Sequence, residues 1–177
     1  KPDVIDQLMS VRMMHHMEEP QVVLSELSRV IKPGGGLLLE FANKKHFLEL
    51  VKAVLGKSKM DPFSLEPKKR GDDLFYNFHP KYIKNELNSR GFNVGKLVST
   101  SNLRSSLVKK VLPMKVMLFI DKVLSPIFNI SNFGPSIFAS AVKKGKVESE
   151  NKIGDISEIL ICPRCKSENL MVLKNEV

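Results

Sequence analysis

The stretch from Val23 to Ala42 constrains the fold of this chain more than any other. Val23, Leu24, Leu27, Val30 and Ile31 recur at three- and four-residue spacing, which gives a helix one apolar face. Lys32-Pro33-Gly34-Gly35-Gly36 ends that helix with a basic last turn and residues that cannot continue it. Leu37-Leu38-Leu39-Glu40-Phe41-Ala42 follows as a short apolar run. A helix that feeds such a run through a brief loop is the rhythm of an α/β sheet with parallel strands. The helix start is marked by Glu18-Glu19-Pro20, with acids at the positive end of the dipole and Pro in the first turn. Before it, the apolar run from Val4 to Met14 reads as a buried strand with a following loop, although periodicity alone does not separate this from a short helix.

The alternation of elements continues downstream. Phe47, Leu48, Val51 and Leu55 mark a second helix closed by Gly56, and residues 57–79 read as a long polar loop. A loop of that length in a compact domain usually has a function of its own. His79-Pro80 opens a third helix with Tyr82, Ile83 and Leu87 facing inward and Gly91 at its end, and Phe92 to Ser99 reads as a strand. Helical spacing returns from Leu107 to Leu112, breaks at Pro113 and resumes at Val116, Met117, Phe119, Ile120, Val123 and Leu124. Ser136 to Val142 is a last strand. The expected organisation is one domain over 1–145 with a helical lid at 103–133, a polar linker at 146–160 and a short tail at 161–177.

Charge narrows the partners. Of the net +9, residues 101–146 hold eight basic groups against Asp121 alone, and that segment is also strongly apolar. Such a pairing suits an anionic membrane surface, an acidic apolar substrate or nucleic acid, or is simply a helical cap with solvated lysines. No bilayer crossing is expected there, because Lys109, Lys110, Lys115, Asp121 and Lys122 interrupt the apolar run. With two Cys and no leader sequence ahead of Lys1, the expected compartment is the reducing cytoplasm. The opening at Lys1 rather than Met reads as a piece cut from a longer protein.

Asp6 to His16, then Pro20, then Leu27-Ser28-Arg29-Val30-Ile31-Lys32-Pro33-Gly34-Gly35 resembles the second half of a class I S-adenosylmethionine-dependent methyltransferase of the ubiquinone/menaquinone type. Tyr76-Asn77-Phe78-His79-Pro80 and Phe133 to Phe138 resemble one subgroup of those enzymes. The resemblance covers about residues 3 to 144. It implies a partial Rossmann-like sheet, the family's strands four to seven with the last one antiparallel, and helices on both faces. It also implies S-adenosylmethionine as methyl donor, while the basic and apolar composition of the lid suggests a small, apolar or lipid-like acceptor. The family's Gly-x-Gly-x-Gly loop and the acid that binds the ribose hydroxyls have no counterpart here, and Asp3 and Asp6 precede the wrong strand to serve. The chain alone is therefore expected not to bind the donor. Its first strand is expected to present an exposed apolar edge where a missing amino-terminal half or a partner chain would pair.

Sheets of this kind bind ligands beyond the carboxyl ends of their strands. That places Ser10 and Val11 on the cofactor side, and Arg12, His15, His16 and Asn43 near the acceptor. His15 is the candidate base, since an unperturbed imidazole titrates near neutrality; the alternative is that the paired His residues orient the loop. Arg12 either clamps an anionic substrate or pairs with Asp6 or Glu18. Asn43 and Asn77 either bind substrate or cap their own turns, and His79 is either a substrate contact or the start of a helix. Cys162-Pro163-Arg164-Cys165 supplies two of the four ligands that a structural zinc needs. It resembles the start of a zinc-ribbon tail whose other pair lies in a partner, has been lost, or is replaced by a metal-free turn. Against the methyltransferase reading stands a non-catalytic basic module for nucleic acid or an anionic membrane.

Overall fold

A computed structural model describes residues 2–58, 60–69, 75–100 and 113–145. The lid residues before Pro113, the linker and the Cys-containing tail, with Cys162 and Cys165, lie outside the described residues.

Strand β1 (Ile5–Ser10) leads through a short 3-10 turn (Met14–His16) into α1 (Pro20–Val30) and then β2 (Ile31–Ala42). Next come α2 (Phe47–Val54), the two-residue strands β3 (Lys68–Lys69) and β4 (Tyr76–Asn77), and α3 (Pro80–Ser89). β5 (Phe92–Thr100), α4 (Met114–Ser131) and β6 (Ser136–Lys143) complete the described chain. The main sheet has the order β1-β2-β6-β5. β1 and β2 are parallel, while β6 runs antiparallel to both β2 and β5. The mixed α/β sheet and its antiparallel last strand are as expected from the sequence.

Side-chain alternation gives the sheet two unlike faces. Leu37, Leu39 and Phe41 of β2, Ile137, Ala139 and Ala141 of β6, and Phe92 of β5 point into the core. There they meet Leu24 and Leu27 of α1 and Ile83 and Leu87 of α3, all buried. The opposite face is open over Gln7, Met9, Gly36, Leu38, Asn93, Ser140 and Val142, which line a shallow cavity of about 610 Å³. Among the described residues β1 is the outer strand of the sheet, and it is not the buried strand that its apolar run suggests. Only Ser10 in it is buried, and Met9 is 68% exposed, because no described residue pairs with the strand on one side or covers one of its faces.

The glycine run also differs from a plain turn before a strand. α1 passes into β2 at Ile31, which pairs with Ile5, and the next pair is Gln7 with Gly36. One residue of β1, Asp6, therefore faces four of β2, and Lys32 to Gly35 bulge out of the ladder. Gly34 takes φ +80°, a left-handed conformation open to glycine. At Gly35 a Cβ would lie 2.8 Å from both the Lys32 carbonyl oxygen and Ile31 Cγ2, and 2.9 Å from the Asp6 carbonyl oxygen. The bulge closes only because no side chain stands there.

Lys143 fixes the amino-terminal residues to this end of the sheet. Its Nζ donates to Asp3 Oδ1 at 2.7 Å and to the carbonyls of Ser28 and Ile31 at 2.5 and 2.8 Å. The two carbonyls are at the end of α1, where a cation is favoured by the helix dipole.

Candidate functional site

The carboxyl ends of β1 and β2 bring most of the sequence-predicted residues together. The chain leaves β1 at Ser10 and turns sharply at Arg12, which adopts φ +56°. The Arg12 backbone N–H donates to Glu40 Oε2 at 2.6 Å, and Glu40 is buried. A carboxylate in the apolar run of β2 therefore shapes the loop after β1. Sequence reasoning missed Glu40, although an acid inside Leu37 to Phe41 was the available signal.

The 3-10 turn anchors itself through Met14, which is fully buried, and presents the two His residues. His15 is 9% exposed, and its ring lies 4.6 Å from that of Phe75 and 4.2 Å from that of His16. His16 is exposed and meets Phe75 edge-on at 6.2 Å. Phe75 was not singled out from sequence; it completes an aromatic cluster from the far side of the long loop. The Arg12 side chain is exposed and makes no ion pair among the described residues. Its two expected partners are engaged elsewhere: Asp6 pairs with Lys32 at 2.9 Å, and Glu18 hydrogen-bonds with Tyr76. Burial, and then the Glu18 charge and hydrogen bond, raise the Tyr76 phenol above its ordinary value of 10.0.

Asn43 is fully buried, and the protein itself engages its whole amide. Nδ2 donates to the carbonyls of Asn132 and Gly134, both at 2.7 Å, while Oδ1 accepts from the Lys45 N–H at 2.9 Å. Of the two sequence alternatives, the structure places Asn43 in the backbone-capping one. It is a staple that joins the end of β2 to the loop between α4 and β6. Asn77 is buried beside it in β4, and its amide makes no hydrogen bond among the described residues. The ladder reaches this corner through a bridge between Asn43 and Phe78. Lys44, only 2% exposed, then donates to the Ser64 and Glu66 carbonyls at 3.1 and 2.7 Å. Burial lowers its pKa, partly offset by Asp61 and Glu66. The long loop is thus tied down over a buried ammonium, a role with no local signature in sequence.

His79 stands at the start of α3, where Nδ1 accepts the Lys81 N–H at 3.1 Å. This is the helix-start role rather than a free imidazole. Burial, and then Lys45, Lys44 and Lys81, hold its pKa below the ordinary 6.5. The unfolded chain consequently takes up a proton at higher pH than the folded one. Stability from this site is present above pH 6.5 and is lost as pH falls through the lower folded value. His79→Asn keeps a capping acceptor without the titration, so it should flatten the fall in thermal midpoint below pH 6.5. Parallel curves for the two proteins would show that His79 is not the source.

The residues present fit only one wall of an S-adenosylmethionine site. Ser10 and Val11 end β1 with backbone available for a ligand, but the surrounding carboxylates are spoken for. Asp3 and Asp6 are bound to Lys143 and Lys32, Glu18 is held by Tyr76, and Glu40 by Arg12. Each of these four carboxylates is thus held by a neighbour of its own among the described residues, and no step through the donor is built on them. Among the described residues there is no cluster of three or more His, Cys, Asp or Glu side chains fit to hold a metal. No helix among them is long and apolar enough to cross a membrane.

Residues 1–39 match the model of the methyltransferase domain family. No curated protein sequence matches significantly. A SAM-dependent methyltransferase of Thermotoga maritima, described as a possible histamine N-methyltransferase, superposes with a TM-score of 0.50 at 15% identity, over 81% of this chain and 58% of that one. A putative S-adenosylmethionine-dependent methyltransferase of Listeria monocytogenes gives 0.49 at 12% identity, over 82% and 64%. A SAM-dependent methyltransferase of Archaeoglobus fulgidus gives 0.42 at 21% identity, over 81% and 61%. The chain therefore spans about three-fifths of the length of these structures. It has the Rossmann-like α/β fold of the S-adenosylmethionine-dependent methyltransferases, and its first 39 residues carry the match to their domain.

Proposed function

We propose that this chain is the acceptor-side part of an S-adenosylmethionine-dependent methyltransferase acting on a small, apolar or lipid-like molecule. The observation that carries the reading is the position of β1. Among the described residues it is an outer strand in a parallel pair, with a shallow cavity on one face of the sheet beside it and the loop Ser10 to His16 at its carboxyl end. A further parallel strand and its helices, from an amino-terminal half or a partner chain, would cover Met9 and supply the glycine loop and the acid that this chain lacks. When bound, the donor supplies an electrophilic methyl group. Much of the acceleration in such transfers comes from positioning the acceptor and excluding water.

In this reading His15, its ring tilted against that of Phe75, forms the floor beneath the acceptor and is the candidate base. Arg12 and His16, both exposed, face the entrance, and Asn77 offers a buried amide to a polar end of the acceptor. Asn43 and His79 hold the walls rather than the ligand. The apolar acceptor is supported by α4, whose Met114, Leu118, Phe119 and Val123 are exposed and unlike a solvated surface. The ubiquinone/menaquinone-type affiliation belongs to this proposal, as does a reducing, cytoplasmic compartment.

Because the acceptor side is present, the chain alone should bind a fluorescent long-chain amphiphile. Leu118→Glu with Phe119→Glu should weaken that binding at least about tenfold, by desolvating two charges in an apolar site. Equal affinity of the double variant, with its circular dichroism unchanged, would remove α4 from the acceptor site.

A further inference from the structure

Helix α2 is turned inside out relative to a helix on a soluble surface. Its exposed side is Phe47, Leu48, Val51, Val54 and the adjoining Leu55, with Val54 87% and Leu55 62% exposed. The spacing i, i+1, i+4, i+7, i+8 makes these one continuous apolar stripe. The one side chain buried in the helix is instead its acid, Glu49. Its carboxylate accepts from Lys52 at 2.6 Å and Ser58 at 3.1 Å. A fold that hides and neutralises the only acid while exposing five apolar groups gains nothing from water on that side.

Charge identifies what the stripe meets. With Lys44 buried under the long loop, the groups around the stripe are Lys45, Lys52 and Lys57 against Glu49, a net 3 − 1 = +2. Lys52 and Lys57 are exposed beside the stripe, and Lys45 is half-buried at its amino end, where Nζ lies 5.6 Å from the centre of the Phe133 ring. An apolar stripe edged by lysines, on a helix of eight residues that is too short to span a bilayer, suits the interface of an anionic membrane. The Phe47 N–H donates to the Phe133 carbonyl at 2.9 Å, so the amino end of α2 adjoins the end of α4 and the site at β2.

We infer that α2 is a membrane-docking element, which lays Leu48, Val51, Val54 and Leu55 into the headgroup region of an anionic bilayer beside the acceptor site. This extends the reading of a lipid-like acceptor given above. Vesicle binding is read without methyl transfer and on a different helix from α4, so the two readings fail separately.

The chain has no Trp, so Val54→Trp introduces a single reporter at an exposed position. With vesicles of equal phosphatidylglycerol and phosphatidylcholine, its emission should shift to the blue and become shielded from acrylamide. Val22→Trp, on the exposed side of α1, should do neither. Leu48→Glu in the Val54→Trp background should abolish the shift, and Lys57→Gln should weaken vesicle binding about fivefold. Emission at position 54 that ignores vesicles overturns the inference. So does a blue shift that rises with protein concentration without lipid, which would assign the stripe to a second copy of the chain. Vesicle binding with position 54 still open to acrylamide would overturn it as well, by placing the contact on another face.

Discussion

Asn43→Ala should lower the unfolding free energy by about 4 kcal/mol, the largest loss expected from a single polar side chain in this protein. The substitution removes three hydrogen bonds at a fully buried position and strips the donors from the carbonyls of Asn132 and Gly134. An unsatisfied buried polar group costs about 1–3 kcal/mol, and two are created at once. The loop they hold is already demanding. Asn132 sits at φ +53°, and its buried side-chain oxygen lacks a partner among the described residues. Asn43→Asp should be nearly as damaging, because a carboxylate cannot donate to either carbonyl. Urea unfolding of the three proteins checks this. Losses below about 1 kcal/mol for both variants would mean that the staple carries no weight.

The second large effect is expected at Gly35. A Cβ there meets two backbone oxygens and the buried Ile31 at 2.8–2.9 Å, and backbone cannot yield as a flexible side chain can. Gly35→Ala should therefore cost about 3 kcal/mol, at the upper end of overpacking penalties. Gly36→Ala is the matched control. Its nearest neighbour is Gln7 Cγ at 3.7 Å, an ordinary contact, so the change should stay within about 0.5 kcal/mol. Equal effects at the two glycines would refute the tight bulge between β1 and β2.

These two positions also show where sequence reading stops. The composition of Lys32 to Gly36 foretells that the helix ends, and it does end at Val30. That the chain then bulges against Asp6 depends on contact with a strand 29 residues earlier, which no local pattern encodes. Asn43 is similar: as a residue type it suits either a ligand or a turn, and the partners that decide lie 89 and 91 residues away. The helices and strands were legible because spacing and end signals are local. Glu19-Pro20 opens α1, Gly56 and Gly91 close α2 and α3 at φ +65° and +83°, and Ser136 to Val142 is indeed a strand. In α2 the spacing revealed which side chains share a face. Which side meets the protein was decided by the hydrogen bonds waiting for Glu49, and a periodicity has no access to those.

Among the candidate residues, His15, His16 and Arg12 drew attention because His and Arg are conspicuous in an apolar run. Phe75 and Lys44 did not, since an aromatic in a long polar loop and a lysine in the turn after β2 carry no signal until that loop is folded back over them. Glu40 lies between: its burial followed from the run around it, while its bond to the Arg12 N–H required the parallel pairing of β1 with β2.

The central claim is that this chain builds the acceptor side of a methyltransferase and leaves the donor side to a further strand on β1. Calorimetric titration of S-adenosylmethionine into the purified chain, with circular dichroism showing that it is folded, tests it most directly. The account expects no binding heat at millimolar donor. Binding in the micromolar range at one site per chain would contradict it, because Ser10, Val11 and their neighbours would then hold the donor unaided.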